Sequence, residues 1–334
     1  MVRSMKFILL VICVMFASCD STIHFYPDDG VRRSQIRINV DWSDYGKTEP
    51  TGMTVMCHHS ENGEKVLAID NNISYVTPYL SAGRHWATVF NLTEDEYNNI
   101  GFRGLDSVKT AEVYAPEYRG TMWYTGRGDE NSYVAGQPEW LAVDTIMTDH
   151  VEYPAEEVKL IGTLHPKNII FTLHVTLRTT YIGNLRSARG AITGLANGRM
   201  IHSDTPNDNS VTVTHLIESD SWSRTRTYEP ADIGYVTADV RCFGLPSNHK
   251  GLPDENILEF QAMLAEGQKV LKYNIPVGHL IRKGNIPEGM RGDNLDLYLD
   301  LWLDPPLPPG GNGNWGFDVW VEDWDEQEDV IIPV

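Results

Sequence analysis

The sequence predicts an all-β fold built as two tandem antiparallel β-sandwiches. Three observations carry that prediction. Short runs alternate apolar and polar residues with a period of two, as half-buried strands do. Turn-forming Gly, Pro, Asn and Asp interrupt them about every 8–12 residues. Almost no stretch keeps a 3.6-residue period long enough for a sizeable helix. The 334 residues fit two ordinary domains in series. The expected divisions are a signal peptide over 1–18, a tether over 19–33, an N-terminal sandwich over 34–155 and a C-terminal one over 156–334.

The elements follow in order. In Gln35–Trp42, Ile36, Ile38, Val40 and Trp42 alternate with Arg37, Asn39 and Asp41, which makes a strand. Met53–Cys57 and Lys65–Ile69 are strands joined by Glu61-Asn62-Gly63, with Gly where a positive φ is needed. Ile73–Leu80 and His85–Asn91 are further strands. Thr93 and Glu96 have capping-box spacing, so Glu94–Ile100 reads as one short helix. Tyr114–Gln137, rich in Tyr, Gly and Arg, reads as a surface excursion, and Trp140–Met147 closes the first half. After the polar joint Tyr153–Glu157, Ile169–Leu177 alternates, with Ile169, Phe171, Leu173, Val175 and Leu177 on one face. Ala188–Leu195, Val211–His215 and Tyr235–Phe243 are strands separated by polar turns. Ile257–Leu264 fits a helix or a strand; Glu266-Gly267 and the apolar Val270–Val277 favour a hairpin. Leu295–Leu303 alternates leucines with Asp296, Tyr298, Asp300 and Trp302. Pro305–Asn314 is a loop, because Pro lacks a ladder donor. Phe317–Trp324 returns as a strand before an acidic and then apolar end.

The amino end predicts location. Arg3 and Lys6 precede the ten-residue apolar run Phe7–Phe16, then Ala17, Ser18 and Cys19. A positive head, a short apolar core and small residues make a secretory signal, too short to span a bilayer as a helix. The small-small-Cys ending is the bacterial lipoprotein pattern, in which Cys19 is acylated and the chain is cut before it. An ordinary signal peptide with a chance cysteine is the competing reading. Several palmitate-type chains hold far more firmly than one, at about 0.8 kcal/mol per buried methylene. The mature chain is then expected to stay lipid-anchored on its membrane and to fold in an extracytoplasmic, oxidising space.

Charge excludes a class of partner. The chain carries 27 basic and 46 acidic residues, a net −19. Loss of Arg3 and Lys6 leaves 25 basic residues against 46, a net −21. Phosphate backbones repel such a chain, so no nucleic-acid partner is expected. Anionic headgroups are repelled too, which leaves anchoring to the lipid. Of four cysteines, Cys13 leaves with the signal and Cys19 takes the lipid. Cys57 and Cys242 sit in separate apolar runs and read as buried free thiols, with a disulfide as the alternative.

Catalytic signatures are missing: there is no Gly-x-Ser-x-Gly, His-Glu-x-x-His, Gly-x-x-x-x-Gly-Lys-Ser/Thr phosphate loop or Cys-x-x-Cys. No catalytic residue, cofactor or metal is assigned, and a non-enzyme is expected. His58-His59 on a strand would point to opposite faces, one packed and one exposed, and make poor co-ligands. The acidic end, from Glu322 to Asp329, lacks calcium-loop spacing and reads as a solvated edge. Trp42, Trp86, Trp302 and Trp320 lie in strands and are assigned to the core. Trp123, Trp140, Trp222 and Trp315 lie in or beside loops and are candidate glycan contacts, with closure of the sandwich ends as the bland alternative. Asp20-Ser21-Thr22, Asp106-Ser107-Val108 and Asp144-Thr145-Ile146 fit a short Asp-Ser/Thr-apolar glycosylation pattern.

Several segments resemble a known family when taken in order. They are Asp41-Trp42-Ser43, Pro50–Val55, Leu80–His85, Val89-Phe90-Asn91, Phe102–Ser107, Ala188–Ala196, Cys242-Phe243-Gly244 and Phe317–Trp324. Together they resemble an uncharacterised family of Bacteroidetes outer-membrane lipoproteins related to the anchor subunits of type V fimbriae. The resemblance implies transthyretin-like, Greek-key sandwiches, lipidation at Cys19 and fimbrial or pilin subunits as partners. It also implies an anchor that receives a strand from the next subunit, which satisfies open N–H and C=O groups. A glycan-binding surface lipoprotein using the loop tryptophans is the alternative.

Overall fold

The computed structural model describes residues 23–25, 30–119, 133–217, 222–225, 233–265, 269–281 and 296–310. Among these the chain is all-β, with five sheets, a few single 3₁₀ turns and no helix long and apolar enough to cross a membrane. It divides into two compact units interleaved in sequence. Unit 1 takes residues up to 96, then 106–108 and 142–167; unit 2 takes 97–105, 109–141 and 168 onward.

Unit 1 holds two sheets. In spatial order the first five strands of one are Ile23–Phe25, Lys65–Asp70, Met53–His59, His85–Asn91 and Ala142–Met147. The hairpin predicted between Met53 and Ile69 forms, with Gly63 at φ +73°. Ile23–Phe25, inside the expected tether, pairs with Leu67, Ala68 and Ile69. The other sheet centres on Arg33–Val40, flanked by Lys159–Leu164 and by Tyr75–Val76, with Tyr79–Ser81 also paired to it. The predicted alternation holds there: Ile36, Ile38 and Val40 are buried while Arg37 is exposed. Burying each such side chain contributes about 1.5–3 kcal/mol.

Unit 2 holds three sheets. The largest runs Glu117–Arg119, Tyr133–Ala135, Ser210–Ile217, Leu185–Ala196, Ile257–Leu264, Val270–Pro276. The second runs Trp222–Thr225, Ile233–Cys242, Phe171–Thr180, Asp296–Trp302. The third is small: Thr205–Pro206, Gly198–Met200, Glu112–Tyr114, Gly101–Arg103. Ile257–Leu264 resolves as a strand, paired antiparallel with Val270–Pro276. Val175, Leu177 and Val236 of the second sheet line one small cavity together with Gly190, Leu258 and Phe260 of the first.

Several expectations change. Purely antiparallel sheets were expected, yet three pairings are parallel: Lys159–Leu164 with Arg33–Val40, Tyr133–Ala135 with Ser210–Ile217, and Asp296–Trp302 with Phe171–Thr180. Alternation is the same in both directions, so it carries no sign of direction. Ile73–Leu80 is two short strands, because Pro78 has no N–H for the ladder. Glu94–Ile100 shrinks to one 3₁₀ turn, Glu94–Glu96, although the Thr93 N–H and hydroxyl both reach the Glu96 carboxylate, at 2.7 and 2.8 Å. Tyr114–Gln137 is not wholly a surface excursion: Val134 and Ala135 are buried in a strand.

Neither His58 nor His59 is exposed. Their strand lies between Lys65–Asp70 and His85–Asn91, and all seven of its residues are buried. Trp42 is buried, but in a 3₁₀ turn after the strand, with its indole N–H donating to Ile73 O at 2.8 Å. Trp86 is half-buried. Trp302 is 60% exposed and not core. It shares the parity of Asp300, while Leu297 and Leu299 turn inward. Phe317–Trp324, Trp320 and the acidic end lie outside the described residues.

Candidate functional site

Chain edges and open faces are where a β protein can meet a partner, so the sheet ending in Asp296–Trp302 is the candidate. This strand pairs in parallel with Phe171–Thr180 over seven residues, from Thr172↔Asp296 to Arg178↔Trp302. Among the described residues no strand pairs with its other edge. Its leucines explain its place: Leu297 and Leu299 are each 3% exposed. The edge strand Val270–Pro276 carries Lys272 and Pro276, residues that discourage further pairing; Asp296–Trp302 has neither Lys nor Pro.

The outer face of the same sheet forms cross-strand rows. Tyr235, Arg178 and Trp302 stand in one row, and Thr237, Thr176 and Asp300 in the next. Asp239 and His174 follow, then Arg241 and Thr172. Neighbouring strands lie about 4.8 Å apart and alternate residues of one strand about 6.7 Å apart. Arg178 holds Asp300 through two bonds, Nε to Oδ1 and a terminal nitrogen to Oδ2, each 2.7 Å. That pairing lowers the Asp300 carboxyl below its ordinary value and raises the Arg178 guanidinium. His174 Nδ1 lies 2.7 Å from Asp239 Oδ1.

The sequence candidates distribute unevenly. Trp140 is half-buried, with the Arg241 guanidinium 5.5 Å from its ring centroid, at the far end of this face from Trp302. Burial lowers the Arg241 guanidinium, against the raising effect of Glu139. Trp222 begins the strand Trp222–Thr225, opposite Val236. Cys19, Trp123 and Trp315 lie outside the described residues. Trp302 and Tyr235 were missed as candidates; the shared parity of Trp302 with Asp300 was the available signal. Thr145 is half-buried and its hydroxyl is bonded to that of Thr88 at 3.0 Å.

Cys57 and Cys242 are free and buried, and burial pushes their thiols up to about 12 and about 11. Among the described residues no group of three or more His, Cys, Asp or Glu could hold a metal ion.

A family model described as a domain of unknown function, DUF5119, matches residues 23–215. No curated protein matches the sequence. A solved candidate adhesin from Bacteroides ovatus is 18% identical, with a TM-score of 0.53, covering 85% of this chain and 98% of its own. A candidate adhesin from Bacteroides thetaiotaomicron is 8% identical, with a TM-score of 0.52, covering 83% and 93%. These likenesses are of fold alone. The fimbrial anchor protein Mfa2 from Porphyromonas gingivalis is 10% identical, with a TM-score of 0.40, over 75% of this chain and 85% of its own.

Proposed function

The chain belongs to the DUF5119 family, and on that premise we propose that it is a non-enzymatic, lipid-anchored surface protein of the fimbrial-anchor type. Cys19 carries the lipid and ties the protein to the outer membrane. The described sheets pair as tandem sandwiches; the cavity lined by both large sheets of unit 2 supports that pairing there. A partner subunit adds a strand along Asp296–Trp302. The observation that carries this reading is the uncovered edge of that seven-residue strand among the described residues. An edge of this kind offers a row of unpaired N–H and C=O groups, and a donated strand satisfies them. The family resemblance of the ordered sequence segments and the fold shared with the Bacteroides candidate adhesins support it.

The test is extraction of the native protein from outer membranes after mild crosslinking, with a photo-crosslinking residue in place of Leu301. Recovery of a polymeric pilin subunit joined at that position is expected. Recovery of the chain alone, with the protein correctly placed in the membrane, overturns strand acceptance. Mass spectrometry of the mature amino end checks the anchor: an acylated Cys19 is expected, and Cys19→Ser should release the protein from the membrane fraction.

A further inference from the structure

Strand acceptance uses the backbone edge of Asp296–Trp302 and leaves its outward side chains without a role. Those side chains are unusual. Tryptophan is highly buried on average, yet Trp302 is 60% exposed. It stands in one cross-strand row with Arg178 and Tyr235, beside the row of Thr176 and Asp300. Arg178 and Asp300 lock each other in a bidentate pair, so the polar groups around the indole are held in place. Six residues along the central strand, at Thr172, the partner Arg241 lies against Trp140. The rows from Trp302 to Thr172 span about 20 Å, and the face is open at the Trp302 end, whereas Thr172 beside Arg241 and Trp140 is buried.

The geometry points to a binding site on this face for an extended, neutral glycan, with Trp302 as its main stacking platform and Trp140 at the far end. A pyranose ring has an apolar C–H face and a rim of hydroxyls. The C–H face suits the electron-rich indole surface. Fixed carboxylate, guanidinium and threonine groups beside Trp302 are the donors and acceptors that a hydroxyl rim requires. The spacing of rows is comparable to one sugar ring. Charge selects a neutral ligand: a chain of net −19 repels polyanions, and Asp300 is already answered by Arg178. A protein interface would need a wider apolar centre than one indole among polar side chains. This site adds to the assembly role and does not depend on it.

The experiment is native electrophoresis of the purified full chain through gels containing galactomannan, amylopectin or yeast mannan, with polygalacturonate as the anionic comparison. Retardation by at least one neutral polymer is expected. Trp302→Ala should weaken it about tenfold, the loss expected for one aromatic contact, with an unchanged thermal midpoint. Arg178→Gln combined with Asp300→Asn should also weaken it. Leu252→Ala, exposed and off this sheet, should not. Retardation by polygalacturonate only, by none of the polymers, or equally in Trp302→Ala overturns the proposal. The crosslinking at Leu301 is read independently, so either idea can fail alone.

Discussion

Acidification should destabilise unit 1 through His85. Its ring is 1% exposed, on the strand paired beside His59. The two rings meet edge to face, with centroids 4.9 Å apart. His59 is itself fixed: its Nδ1 accepts from the Glu61 and Asn62 N–H groups, and its Nε2 lies 3.0 Å from Ala82 O. Burial first, then the neighbouring His59 ring, lowers His85 from 6.5 to about 4; His150 adds to the lowering, while Glu64 opposes it. Since the folded value is the lower one, the unfolded chain binds more protons between about 4 and 6.5. The stability is fully present above 6.5 and is lost as pH falls toward 4. At about 1.4 kcal/mol per pH unit, the loss is about 1 kcal/mol at pH 5.5 and about 3 kcal/mol at pH 4. Urea unfolding of the wild type and His85→Leu at pH 7, 5.5 and 4 isolates this residue, because the carboxylates titrate in both. The stability difference should move by about 3 kcal/mol in favour of the variant between pH 7 and 4. A difference that stays flat with pH refutes the reasoning.

Three further outcomes are expected. Arg33 and Glu64 form a pair at 2.6 Å with side chains 11% and 7% exposed, and Ser81 donates to the same carboxylate. Arg33→Met alone should cost about 3–5 kcal/mol, and Arg33→Met with Glu64→Leu much less, read by a double-mutant cycle in urea. Gly194 sits at φ +73°, and a Cβ there would collide with the Glu255 carbonyl oxygen; Gly194→Ala should lose about 3 kcal/mol or more, seen as a lowered denaturation midpoint. Iodoacetamide at pH 8 should label neither Cys57 nor Cys242 in the native chain and both in denaturant, because burial keeps each protonated and shielded; native labelling of either would contradict its burial.

Much of the strand set was legible because alternation is recorded locally. Phe171, Leu173, Val175 and Leu177 are buried as their spacing requires, and the Gly63 turn sits where a positive φ was needed. Trp302 was legible too: its even position alongside Asp296 and Asp300 already placed it outward. Assigning it to the core let residue type override parity. Conversely, His58 and His59 look half-exposed on a strand read alone, and only neighbours on both sides make them buried.

The sequence by itself determined an all-β chain, many of its longer strands, most inward-facing residues and a net charge of −19 that repels polyanions. Only the tertiary structure decided that three pairings run parallel, that residues 109–141 join the second unit, and that Trp302, Arg178 and Tyr235 share one row. The reason is physical. A strand's periodicity depends on its own pleat, whereas its direction, partner and row depend on hydrogen bonds to segments distant in the chain.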